Sequence, residues 1–367
     1  MSFFEPPPKP ATPLAFHRIL SPTASAKVSP ICLGGKSFGN ERSELFGVSE
    51  DPFKLLYEFY SQGGNFIDTA NVYNNEESEK HIGAWMEARG VRDQMVIATK
   101  YSAQYRSYNR ENEPIQSNFV GNSAKSMFVS VRDSLKKLRT DYIDVLYVHW
   151  WGFATSVEEA IIHLHSFVMS KQVLYLGVSD TPAWVVIKAN EFARTNGLTP
   201  FSVYQGRRNA AFRDMEAEII PMCEDQAEDG AGKKAAGQRS FYRTGPHELA
   251  VSDALEKVAV AKKTTLQAIA LAYLFHQSTY VIPIVGVRTT EHVRVMNDAI
   301  TVRLSPEEIP SIQEAAPFNP LFPMRFSFGC NDGKGYSTRL TLADHAQYRM
   351  GAWIDAPAKQ PVRVTIH

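Results

Sequence analysis

Three cysteines in 367 residues, Cys32, Cys223 and Cys330, are too few, too scattered and odd in number, and no Cys-x-x-Cys pair occurs. Neither a disulfide framework nor a zinc site is indicated. There is no surplus of charge: 39 Lys+Arg stand against 39 Asp+Glu. That balance argues against a nucleic-acid footprint and against a charged tail for a partner. No apolar run is long enough to span a bilayer. The start, Met1-Ser2-Phe3-Phe4-Glu5-Pro6-Pro7-Pro8, lacks the basic and apolar regions of a secretory signal. No Gly-x-Gly-x-x-Gly follows the first strand-like run, which argues against the doubly wound dinucleotide fold. The expectation is a cytoplasmic protein with neither membrane nor nucleic-acid partner, and with no metal site. Its composition, 44% hydrophobic and 21% charged, is that of an ordinary globular chain.

What is present is alternation. Residues 1–13 are Pro-rich and read as an arm. Leu14–Leu20 and Lys27–Leu33 then suggest a small hairpin leading into a first strand. Apolar strand-like runs follow at Asn65–Asp68, Met95–Thr99, Ile143–Val148, Val173–Val178, Phe201–Gln205 and Tyr280–Val285. Between them lie runs with helical spacing: Phe53–Gln62, Glu76–Arg89, Ser123–Arg139, Ser156–Ser170, Pro182–Asn196, Arg213–Asp225, Thr265–His276 and Thr290–Ala299. Ser156-Val157-Glu158-Glu159 reads as a capping box, and Thr181 as a helix cap before Pro182. Repeated strand–helix units give a parallel sheet with covering helices, and the expected architecture is a closed (β/α)8 barrel.

Strands buried on both faces should be apolar throughout, so a polar residue closing one is informative. Three strands close this way, with Asp68, Lys100 and His149. In a barrel such ends converge on one face, where active sites form. Tyr73, five residues beyond Asp68, can fold back over the same mouth. A phenol, with an ordinary pKa of about 10, becomes a better proton donor beside an ammonium. A carboxylate would hold that ammonium, and an imidazole would orient a carbonyl oxygen. Protonating a carbonyl calls for a hydride partner, hence a nicotinamide.

The segment Gly63-Gly64-Asn65-Phe66-Ile67-Asp68-Thr69-Ala70-Asn71-Val72-Tyr73 resembles the signature of the aldo-keto reductase superfamily. Tyr142–Trp151 and Leu174–Trp184 are similar to its fungal aryl-alcohol dehydrogenase and norsolorinic acid reductase-like branch, found in secondary-metabolite clusters. The resemblance spans most of residues 14–330. It implies an (α/β)8 barrel over residues 14–316, with residues 317–367 as a tail over or beside the mouth. It also implies NADPH-dependent interconversion of a small carbonyl substrate and its alcohol. By position Tyr73 would be the proton donor, with Asp68, Lys100 and His149 completing a tetrad. Ser179, Asp180 and Gln205 would meet the nicotinamide carboxamide, with Tyr204 a candidate to lie against its ring. Gly286 and Arg288 would sit at the adenosine phosphate, and the Arg288 guanidinium favours NADP over NAD.

Departures from the family pattern also set expectations. Residues 227–247, where relatives carry their seventh barrel strand, contain no Val, Ile or Leu. That strand is expected to be deleted, with Ser240–Arg243 as a makeshift replacement and the barrel opened. Gly152 stands where an acidic residue is usual. Met296 stands where an adenine-contacting Asn is usual, with Arg294 and His292 as partial substitutes. The aromatics Tyr101, Tyr105, Tyr108, Trp150, Trp151 and Phe153 would line a pocket for a bulky aromatic or terpenoid carbonyl, and residues 101–122 would form a lid. The rival reading is a degenerate, non-catalytic paralogue with impaired cofactor binding.

Overall fold

Arg18–Ser21 (β1) and Ala24–Val28 (β2) pair as an antiparallel hairpin ahead of the main sheet. The computed structural model describes residues 6–226, 229–233, 245–278, 280–329, 336 and 340–357. Eight parallel strands follow the hairpin: β3 (Cys32–Gly34), β4 (Phe66–Asp68), β5 (Val96–Tyr101), β6 (Ile143–Val148), β7 (Val173–Ser179), β8 (Val203–Arg207), β9 (Asp229–Lys233) and β10 (Ile284–Gly286). They run in sequence order around a closed barrel, with β10 beside β3. The expected (β/α)8 barrel is the observed fold.

The expected deletion of one strand is corrected. β9 occupies that place and pairs with β8 over five positions, Val203 opposite Asp229 through Arg207 opposite Lys233. Toward β10 it makes one pair, Ile284 with Lys233. A ladder is built from backbone N–H and C=O groups, which Gly and Ala supply as well as Val does. Two neighbouring strand edges waiting to be paired outweigh poor intrinsic propensity. The expected substitute at Ser240–Arg243 lies outside the described residues.

Helix boundaries follow local chemistry. Asp51 caps Pro52–Ser61 by accepting from the Phe53 N–H at 2.9 Å. Ser123 caps Ala124–Leu138. Ser156 accepts from the Glu159 N–H at 3.0 Å, half of the expected capping box. The other half is diverted: the Glu159 carboxylate takes the Ala124 N–H at 3.0 Å and so joins two helix starts. Thr181 does not cap the next helix. Pro182 takes that place without a side-chain bond, and the Thr181 hydroxyl donates to the Ser179 carbonyl. β10 starts later than Tyr280 because Pro283 has no N–H to give a ladder. The helix Pro246–Lys262 escaped the periodicity reading, although Val251, Leu255, Val258 and Ala259 form a buried stripe on it. No single helix among the described residues is long and apolar enough to cross a membrane.

Residues 101–122, the segment expected to form a lid, are tied to the helix Ala124–Leu138. The Tyr105 hydroxyl donates to Asp133 at 2.8 Å, and Asp133 also receives Arg132 at 2.8 Å and Arg106. Arg106 also pairs with Glu113. The tail returns to the same end of the barrel. The Tyr336 carbonyl accepts from Arg213 at 2.7 Å, and Phe318 lies 5.6 Å from the Arg213 guanidinium.

Burial disfavours the charge on Asp133, yet the donors from Tyr105, Arg132 and Arg106 prevail and hold its carboxyl below the usual range. A depressed folded-state value stabilises above the unfolded value of about 3.9 and is lost as pH falls through the folded value. Asp133→Asn should therefore flatten the acid limb of a melting-temperature profile and speed proteolysis between residues 104 and 116. An unchanged acid limb would remove Asp133 as the latch.

Candidate active site

Side chains alternate along a strand, so every second residue enters the barrel. Cys32, Phe66, Ala98, Val145, Tyr147, Val203 and Ile284 fill its interior. Leu33, Ile67, Ile97, Leu146, Val148 and Val178 pack outward in the helix-facing cluster. Continuing the inward rows toward the carboxyl ends brings up Asp68, Lys100, His149, Ser179 and Gln205. Their nearness follows from parity and register: Asp68 stands opposite Ala98, Lys100 opposite Tyr147, and Ser179 opposite Gln205.

Lys100 is fully buried. Its ammonium pairs with Asp68 Oδ1 and donates to the Thr69 carbonyl at 2.6 Å. The same carboxylate oxygen accepts from Gln205 Nε2 at 3.3 Å. Taking one partner away would leave a buried charge unanswered, a cost of about 3–5 kcal/mol. Burial and the adjacent Asp68 carboxylate push the Cys32 thiol well above its ordinary value, even against Lys100. Lys100 Nζ lies 5.1 Å from the centre of the Tyr73 ring, and the His149 ring meets that ring edge-on at 6.0 Å. All four residues expected to act together are together.

The turn behind Tyr73 is strained. Asn74, Asn75 and Glu76 have φ of 47°, 51° and 75°, three consecutive left-handed residues without a glycine. Such residues cost about 1–3 kcal/mol each and persist only when their surroundings hold them. The Asn74 amide donates to the carbonyls of Lys36 and Phe38 at 3.0 Å each, and Asn75 accepts from Arg42 at 2.8 Å.

Next to the tetrad, Ser179 Oγ and Gln205 Oε1 are buried without a hydrogen-bond partner among the described residues. A buried orphan oxygen is costly. Two of them, on register-paired residues, suit a ligand group that both donates and accepts, as a carboxamide does. The third expected residue differs. Asp180 is exposed and left-handed at φ 43°, with its N–H on the Gln205 carbonyl at 3.1 Å. The expectation for Tyr204 is corrected. One step from Gln205, it faces the helix layer, and its hydroxyl donates to the Thr181 carbonyl at 2.8 Å.

Gly286 closes β10, and Arg288 follows on the adjoining loop. The guanidinium rests on Gly47, where a Cβ would come within 2.8 Å of Arg288 Cζ. Among the described residues Arg288 has no ion-pair partner. Met296 is buried in the core, and Asn297 turns away to accept the Leu14 N–H at 3.0 Å. Arg294 pairs with Glu58 at 2.9 Å. His292 Nδ1 accepts the Arg288 N–H at 3.2 Å. The Gly152 N–H donates to Asn122 at 2.7 Å.

The aromatic group splits. Tyr101 and Tyr105 are buried, and burial pushes both phenols up. Trp150, Phe153 and Tyr108 remain exposed near the mouth, with Trp150 4.8 Å from the His149 ring. Sequence reasoning missed several neighbours. Tyr147 lies 5.8 Å from Lys100 Nζ, and a Cβ on Gly177 opposite would strike its ring at 2.5 Å. Lys36 lies 5.9 Å from the Tyr73 ring centre. The signal for Tyr147 was available, since it shares parity with His149.

Comparison with known proteins places this geometry. The Aldo/keto reductase family matches residues 30–317. Norsolorinic acid reductase A of Aspergillus parasiticus is 44% identical over 371 residues, 97% of this chain and 95% of the relative. The aryl-alcohol dehydrogenase [NADP(+)] of Phanerodontia chrysosporium is 45% identical over 395 residues, 99% of each. Norsolorinic acid reductase B of Dothistroma septosporum is 48% identical over 333 residues, 85% of this chain and 84% of the relative. The resemblance carried by Gly63–Tyr73 is thereby upheld. With its barrel and a match across most of its length, the chain belongs to the aldo/keto reductase family and is an oxidoreductase.

Proposed function

We propose that this protein reduces a ketone or aldehyde to the alcohol with NADPH, and that its substrate is a bulky aromatic or terpenoid intermediate of fungal secondary metabolism. One observation carries the reading: a buried Lys100–Asp68 pair beneath the Tyr73 ring, flanked by His149 and by two unpartnered oxygens suited to a carboxamide. The relatives' names support the carbonyl chemistry and the choice of NADP.

Bound NADPH would supply the hydride. The chain's own residues supply the rest. Tyr73 donates its hydroxyl proton to the carbonyl oxygen, and Lys100 stabilises the negative charge left on the phenol. Asp68 and the Thr69 carbonyl keep the ammonium oriented. His149 hydrogen-bonds the same substrate oxygen and fixes its direction. Ser179 and Gln205 hold the carboxamide, with Asp180 at its rim. Gly286 lets the backbone approach the adenosine phosphate, and Arg288 takes the 2′-phosphate. Trp150, Phe153 and Tyr108 offer flat apolar surface at the mouth, while Trp151 packs against the helix-facing core.

Tyr73→Phe should abolish turnover while NADPH binding, followed by fluorescence, changes by less than about twofold. A variant that keeps most of its activity would remove the donor role. Arg288→Ala should weaken NADPH by about tenfold or more and leave NADH little changed, because only the former carries the extra phosphate. Titration separates the degenerate rival: wild-type protein showing no NADPH binding at high micromolar cofactor would favour it.

A further inference from the structure

Behind the strained turn lies an ionic cluster that the reaction as described does not use. Lys137, on the helix Ala124–Leu138 that packs over β5, is nearly fully buried. Its ammonium stands 2.7 Å from Glu76 Oε1 and 2.7 Å from Glu79 Oε2. The other oxygens of these carboxylates are also engaged. Glu79 Oε1 accepts the Thr99 hydroxyl at 2.6 Å, and Glu76 Oε2 accepts the Tyr108 hydroxyl. The Tyr105 ring covers the ammonium from the loop side at 5.2 Å.

The placement of these partners matters. Glu76 ends the left-handed run that begins one residue after Tyr73. Thr99 immediately precedes Lys100 on β5, and alternation sends its side chain outward while that of Lys100 enters the barrel. One cation thus grips, from outside the barrel, the turn that carries the phenol and the strand that carries the ammonium beneath it. The net stability a buried ion cluster adds over an apolar one is small or negative. What such a cluster supplies is fixed direction, and a left-handed run needs that to stay in place.

We propose that Lys137 is a positioning residue for catalysis, holding the Tyr73 turn against the Lys100 strand through Glu76 and Glu79. The inference rests on Tyr73 being the proton donor. A part-buried ion pair elsewhere in the barrel serves as control. Arg92 and Asp144 meet at 2.8 Å where β5 and β6 begin, the end of the barrel opposite the site.

The test uses the full chain, NADPH and 4-nitrobenzaldehyde as probe. Lys137→Met should lower kcat by about tenfold or more, with KM and the fluorescence-measured NADPH Kd within about twofold. Lys137→Arg, which keeps the charge, should retain about half of kcat or more. Arg92→Met should lower Tm and leave kcat within about twofold. An unchanged kcat in Lys137→Met overturns the proposal, as does an equal loss in Arg92→Met or in Lys137→Arg. Should Lys137→Met fail to fold, Thr99→Val decides, since it deletes only one hydroxyl. A kcat loss of about threefold at unchanged Kd supports the role, and no loss overturns it. Tyr73→Phe measured alongside separates the two ideas. If it stays active, the donor reading falls. If it is dead while Lys137→Met runs at full rate, only the positioning role falls.

Discussion

An ammonium with no exposed surface must be answered by charge and lone pairs, because water cannot reach it. Lys100 meets that demand with Asp68 and the Thr69 carbonyl, and the site is arranged around the answer. The pair sits where inward rows of the barrel change from apolar to polar. Below it Val145, Ala98, Phe66 and Cys32 are buried in one apolar cluster. Above it the rows end in His149, Ser179 and Gln205. A low-dielectric floor under an oriented charge strengthens its action on a phenol held close by.

The same constraint explains why the outer shell is ionic. A strand end that must aim a charge inward has its outward residue free for anchoring, and Thr99 is used that way. The turn after Tyr73 departs from the ordinary right-handed backbone and needs partners on both sides. Asn74 ties it to the loop after β3, and Glu76 ties it to the helix over β5. The latch at Asp133 fixes residues 101–122 next to that shell.

Residues 227–247 show where composition misleads. A run without Val, Ile or Leu reads as no strand at all, yet β9 lies between β8 and β10 and closes the ring. Intrinsic preference is a weak force beside two strand edges that would otherwise carry unpaired backbone groups. Tyr204 shows a subtler limit. Its nearness to Gln205 in sequence suggested a shared site, but one step along a strand reverses the face.

By itself the sequence determined the alternation of elements, the barrel, the family, and that Asp68, Lys100 and His149 close apolar strands with Tyr73 just beyond the first of them. Those are properties of short segments: period-2 and period-3.6 patterns, and polar residues at the ends of apolar runs. Tertiary structure decided which strand faces which in register, and hence that Ser179 stands beside Gln205. It also decided that Lys137, 61 residues from Glu76, would reach that carboxylate. Contacts so far apart along the chain have no local periodicity to announce them. They exist only once the barrel has closed and the helices have been laid over it.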